Sequence, residues 1–102
     1  MAILHTVNRS PFEKSSLASC IDHALDASGI LLMEDAVYAA LNNTQVQDLV
    51  TEALGRVKIY ALGPDLKARG IAPERVLDGV EIVDYEGFVD LAAAHDSVQA
   101  WL

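Results

Sequence analysis

The apolar positions along this chain change period several times with short punctuation between them, which is the mark of alternating strands and helices. Ala2 to Val7 is an apolar run broken only by His5 and Thr6, and it reads as a buried first strand. In the segment Asn8 to Glu13, Ser10 as N-cap, Pro11 at the first helical position and Glu13 three residues after the serine form a capping box. A helix is expected to begin there. Leu17, Ile21, Ala24 and Leu25 continue it at the i, i+4, i+7, i+8 spacing of one apolar stripe, and Gly29 is expected to close it. Ile30–Met33 is a strand-length apolar run. Asp35 is placed to cap a short helix through Ala36–Ala40, which Asn42-Asn43-Thr44 breaks. A further helix is expected over Gln45 to Leu54, with Gly55 as its stop.

The second half repeats the alternation. Val57 to Leu62, rich in β-branched and aromatic residues, predicts a third strand, and Gly63-Pro64-Asp65 starts a short turn of helix to Gly70. Val80 to Val83 is the fourth strand. Asp84 then caps a last helix on which Tyr85, Phe88, Val89, Ala92 and His95 are expected to share a face. Asp96 to Leu102 is apolar at its end and reads as either a short edge strand or a docking segment. Strands alternating with helices require crossovers between parallel neighbours, so the pattern predicts an α/β fold. Its centre is an open, mostly parallel sheet of four to five strands flanked by helices. The functional edge of such a sheet lies at the carboxyl ends of its strands, here the loops Asn8–Pro11, Glu34–Ala36, Gly63–Asp65 and Asp84–Tyr85.

Length and composition then narrow the classes. At 102 residues the chain is one domain, 1–102, with no second core. It is 52% hydrophobic before its six glycines are added, above the roughly 45–50% typical of soluble domains with glycine included. The excess is read as either scattered surface residues or a contiguous patch awaiting a partner. Fifteen acidic against seven basic residues give a net charge of -8, which disfavours direct nucleic-acid binding because phosphate neutralisation dominates that affinity. No run reaches the roughly 20 apolar residues needed to cross a bilayer, and Met1 to His5 lacks the pattern of a signal peptide. A cytoplasmic protein is expected. One cysteine excludes an internal disulfide, and His5, His23 and His95 have no metal-ligand spacing, so no metal or cofactor is expected.

Chemistry is sparse. Cys20 is the only soft nucleophile, with Ser16 and His23 a helical turn away; a neighbouring imidazolium would raise its thiolate fraction. The plain alternative is a small half-buried hydrophobe, the usual state of a free cysteine. Lys58, Lys67, Arg69 and Arg75 gather around the third strand and the loop after it, as a solvated face or a contact for an acidic partner. No GxGxxG or GxxxxGK[ST] pattern occurs, so nucleotide chemistry has no support.

Four segments in register resemble the DsrH/TusB family: Ile3-Leu4-His5-Thr6-Val7-Asn8-Arg9-Ser10-Pro11-Phe12, Glu34-Asp35-Ala36-Val37-Tyr38-Ala39-Ala40, Tyr60-Ala61-Leu62-Gly63-Pro64-Asp65-Leu66-Lys67-Ala68-Arg69-Gly70 and Val83-Asp84-Tyr85-Glu86-Gly87-Phe88-Val89. The terminal Trp101 also fits, and the resemblance spans essentially the whole chain. It implies a three-layer DsrE-like fold and the smallest subunit of a persulfide sulfur relay. The implied partners are DsrE/TusD-like and DsrF/TusC-like subunits in a heterohexamer, and a DsrC/TusE-type sulfur carrier reached through that complex. The principal sulfur-carrying cysteine of such complexes belongs to the DsrE/TusD-type subunit. Cys20 looks like the cysteine of DsrH-type members at the matching helix position, which favours dissimilatory sulfur oxidation; the alternative is synthesis of 2-thiouridine at the tRNA wobble position. Two roles follow: an assembly subunit, or a carrier that takes sulfur onto the Cys20 thiolate and passes it to another thiolate. The apolar excess becomes an expected hetero-oligomer interface involving Trp101 and Leu102.

Overall fold

The computed structural model describes residues 2–102; Met1, counted above within the single domain and the signal-peptide reading, lies outside them. Five strands, β1 (Ile3–Val7), β2 (Gly29–Leu32), β3 (Lys58–Leu62), β4 (Glu81–Val83) and β5 (Ser97–Trp101), form one sheet in the order β4-β3-β2-β1-β5, with every pairing parallel. The expected α/β architecture is present, and the tail resolves as an edge strand.

Register places Trp101, Val7, Leu32, Ala61 and Ile82 in one row across the carboxyl-terminal end of the sheet. Side chains of paired positions share a face, so the row's inner members line the larger core. Over that face pack α1 (Ser16–His23), a 3-10 helix (Glu34–Ala40), α2 (Gln47–Ala53) and α3 (Gly63–Ala68), which bury Leu17, Cys20, Ile21, Val37, Val50 and Leu66. The next row, Thr6, Leu31 and Tyr60, faces the other way. There a smaller core of Leu4, Leu31, Tyr60 and Leu62 is covered by one helix, α4 (Tyr85–Ala94). The three layers are therefore unequal. β1 and β2, buried on both faces, read in sequence as near-continuous apolar runs for that reason.

Local expectations fare unevenly. Asp84 caps α4 as expected, its Oδ1 accepting from Gly87 N at 2.7 Å. The capping box at Ser10 closes only one turn, with Glu13 N and Lys14 N donating to Ser10 O and Phe12 N to its Oγ; α1 starts at Ser16. Isolated turns are costly to propagate without a buried face, and the apolar residue within that turn, Phe12, is 52% exposed. Helix burial begins at Leu17. α1 also ends at His23 rather than running to Gly29, which lies inside β2. Arg56 is the physical reason: its guanidinium donates to Ala24 O at 2.6 Å and to Ile21 O, taking up the last carbonyls of the helix.

Asp35 does not cap the 3-10 helix, which has no side-chain cap. Its Oδ1 accepts instead from Arg69, Nη2 at 2.8 Å and Nε at 3.2 Å. On α4 the expected shared face divides. Phe88, Leu91 and Ala92 pack on the sheet, while Tyr85 and Val89 point outward.

Candidate functional site

The switch point of a doubly wound sheet lies between neighbouring strands whose connections leave toward opposite faces, and it is the usual ligand crevice. Here those strands are β3 and β4, because β3 continues into α3 on the larger-core face and β4 into α4 on the other, and the groove lined by Gly63 and Ile82 lies there. Around β1 and the edge strand β5, by contrast, chain segments close the sheet. The Trp101 indole lies between His5 and His23, with ring centroids 6.1 Å and 5.6 Å away. Its Nε1 donates to His5 Nδ1 at 3.1 Å, and Ser16 Oγ donates to Leu102 O at 2.9 Å, so α1 closes over this edge of the sheet. The three histidines serve structure: His23 Nδ1 donates to Ser19 O and His95 Nδ1 to Leu91 O. Trp101 is thus turned inward rather than offered to a partner, while Leu102 is 79% exposed.

Cys20 lies on the buried side of α1, fully enclosed among the residues of the larger core. Burial pushes its thiol up to about 12, because the thiolate would lose its hydration with no cation in place of water. Ser16 and His23 do not compensate, since each is engaged with a backbone carbonyl, of Leu102 and Ser19 respectively. A thiol so placed is a poor nucleophile at neutral pH and has no path to a donor.

Along the carboxyl edge, Glu34 adopts a positive φ of 50° and its N–H donates to Asp65 Oδ2 at 2.6 Å, joining the end of β2 to the start of α3. Arg69 completes this link by binding Asp35 and donating to Asp65 O at 3.2 Å. The carboxylates of Asp35 and Asp65 are thereby spent on internal bonds. Arg69 is likewise withdrawn from the expected cationic cluster, and Lys58 shares a depression with Glu81. A shallow apolar groove of about 480 Å³ lies beside α3, lined by Gly63, Leu66, Ile71, Pro73 and Ile82, with Lys67 on it. Among the described residues no group of three or more His, Cys, Asp and Glu could hold a metal ion, and no helix is long and apolar enough to cross a membrane.

The feature least visible in sequence is the exposed flank of α4. Tyr85 and Val89 are 60% and 66% exposed, and Val98 on β5 is 47% exposed. The signal in the sequence is the width of the apolar arc on α4, which runs from Leu91 through Phe88 and Ala92 to Tyr85 and Val89 and exceeds the face that the sheet covers.

Comparison with known proteins adds to this geometry. The family model described as DsrH like protein matches residues 9–98. Protein TusB of Shigella flexneri is 33% identical over 99 residues, covering 97% of this chain and 100% of that protein. Protein TusB of Escherichia coli (strain K12 / DH10B) is 32% identical over the same span. Among solved structures, the ychN protein from E. coli superposes with a TM-score of 0.79 at 21% identity, covering 99% of each chain. Protein MTH1491 from Methanobacterium thermoautotrophicum gives 0.75 at 16% identity over 96% of each. These two likenesses establish the fold alone.

Proposed function

The chain belongs to the DsrH family, and from that premise we propose that it is an assembly subunit of a cytoplasmic sulfur-relay complex, lending surface rather than a sulfur-carrying thiol. The enclosure of Cys20 carries this reading. A persulfide carrier must expose a thiolate to a donor and then to an acceptor. Cys20 offers neither access nor ionisation. In this reading the sulfur resides on the DsrE/TusD-like partner, and this chain, with a DsrF/TusC-like subunit, completes the complex for a DsrC/TusE-type carrier.

Between the two branches, the relatives named TusB at 32–33% identity over nearly the whole chain favour the tRNA 2-thiouridine pathway over sulfur oxidation. Cys20 was the residue that pointed toward the oxidation branch, and a buried packing role removes most of its weight. The test is genetic. Deleting the gene is expected to abolish wobble 2-thiouridine in tRNA, and a Cys20→Ala copy to restore it. Unchanged thiolation on deletion, with loss of sulfur oxidation, would place the chain in the other branch; failure of Cys20→Ala alone would assign the cysteine a transfer role.

A further inference from the structure

We propose that the exposed apolar flank of α4 docks a different protein whose apolar contact surface is rimmed by lysine and arginine; this rests on the reading of the chain as a subunit. Tyr85, Val89 and Ala93 stand four residues apart in an exposed stripe along one flank of α4, next to the residues packed on the sheet. An apolar arc wider than the face the sheet covers leaves such a stripe in water, and an exposed apolar patch marks an interaction site.

Charge selects the occupant. From Val76 to Leu102 the sequence holds six carboxylates and no lysine or arginine, so this quarter of the chain carries most of the net charge of -8. Glu86 and Asp90 are exposed beside the stripe. Two copies meeting through this face would bring their carboxylates together, and like-charge juxtaposition opposes association. The groove beside α3 offers this face a single cation, Lys67. A basic-rimmed surface on another chain instead pairs with the acidic rim while covering Tyr85 and Val89, and its approach is accelerated at low ionic strength.

The experiment uses the full chain co-expressed with the DsrE-like and DsrF-like subunits of its own gene cluster. Val89→Arg, which reverses the patch at a side chain two-thirds exposed, is expected to abolish co-elution while circular dichroism stays that of the wild type. Glu86→Lys with Asp90→Lys is expected to weaken co-elution, as is raised salt. Leu25→Arg, at an apolar residue 61% exposed on another surface, keeps the complex. A photo-crosslinking residue at position 89 joins a partner peptide containing lysine or arginine. Retention of the full complex by Val89→Arg overturns the proposal and leaves the subunit reading standing. A homodimer of the isolated chain that Val89→Arg breaks also overturns it, since the occupant is then a second copy. No complex with the wild-type chain overturns the subunit reading and the docking surface with it.

Discussion

The indole N–H of Trp101 donates a 3.1 Å hydrogen bond to Nδ1 of His5, tying the edge strand β5 to β1 from within the larger core. The bond needs a lone pair on Nδ1, so it exists only with neutral His5. Burial holds the pKa of His5 below the ordinary 6.5 of an imidazole. As pH falls through that value the unfolded chain takes up the proton first. The stability present at higher pH is therefore lost progressively as pH drops from 6.5 toward the depressed folded value. Thermal melts are expected to show a falling midpoint over this range, with Trp101 fluorescence changing alongside it. His5→Gln flattens that dependence; an unaltered pH profile in the variant would show that His5 does not set it.

Arg56 holds the end of α1 through Ile21 O and Ala24 O, and Arg56→Ala leaves both carbonyls without that donor. A cost of about 1–3 kcal/mol is expected in denaturant titration. Asp26→Ala tests the alternative cause. The Arg56–Asp26 pair spans 3.7 Å with Asp26 82% exposed, so its removal is expected to cost less than about 1 kcal/mol. Equal losses from the two variants would move the stabilisation from the helix end to the ion pair.

Cys20 fills a packed site, so its substitutions separate by polarity rather than by redox chemistry. Cys20→Ser buries a hydroxyl where a thiol packed and is expected to cost about 1–3 kcal/mol, more than Cys20→Ala. The alanine variant is the cleaner test of sulfur transfer, because the serine variant confounds lost chemistry with lost stability. Native-state alkylation is expected to be slow at mildly alkaline pH and fast after unfolding. Rapid alkylation of the folded chain would contradict the enclosure.

Asp84 caps α4 and so supports the proposed docking helix. Asp84→Ala is expected to lower stability by about 0.5–2 kcal/mol in thermal or chemical denaturation. No loss would mean that packing of Phe88 and Leu91 suffices to hold the first turn.

What was legible in sequence divides along a physical line. The cap at Asp84, the buried strands and the parallel architecture follow from local chemistry and periodicity, and they stand in the structure. Ser10 and Glu13 carried an equally good local signal, yet no buried apolar face extends their turn into a helix. The end of α1 depends on Arg56, which is 32 residues from Ala24, and the place of Asp35 depends on Arg69. Those bonds exist only once the sheet has brought distant segments together. The family was legible in the four matching segments. The inward turn of Trp101 and the outward turn of Tyr85 and Val89 were not, because period alone does not say which side of a helix meets the sheet.

As an assembly subunit, this chain is expected to complete the relay without carrying sulfur itself. Mass spectrometry of the assembled complex after incubation with a persulfide donor tests it most directly. The account predicts an added sulfur atom on a cysteine of a partner subunit and none on the peptide containing Cys20; an added sulfur on the Cys20 peptide at comparable occupancy would contradict it.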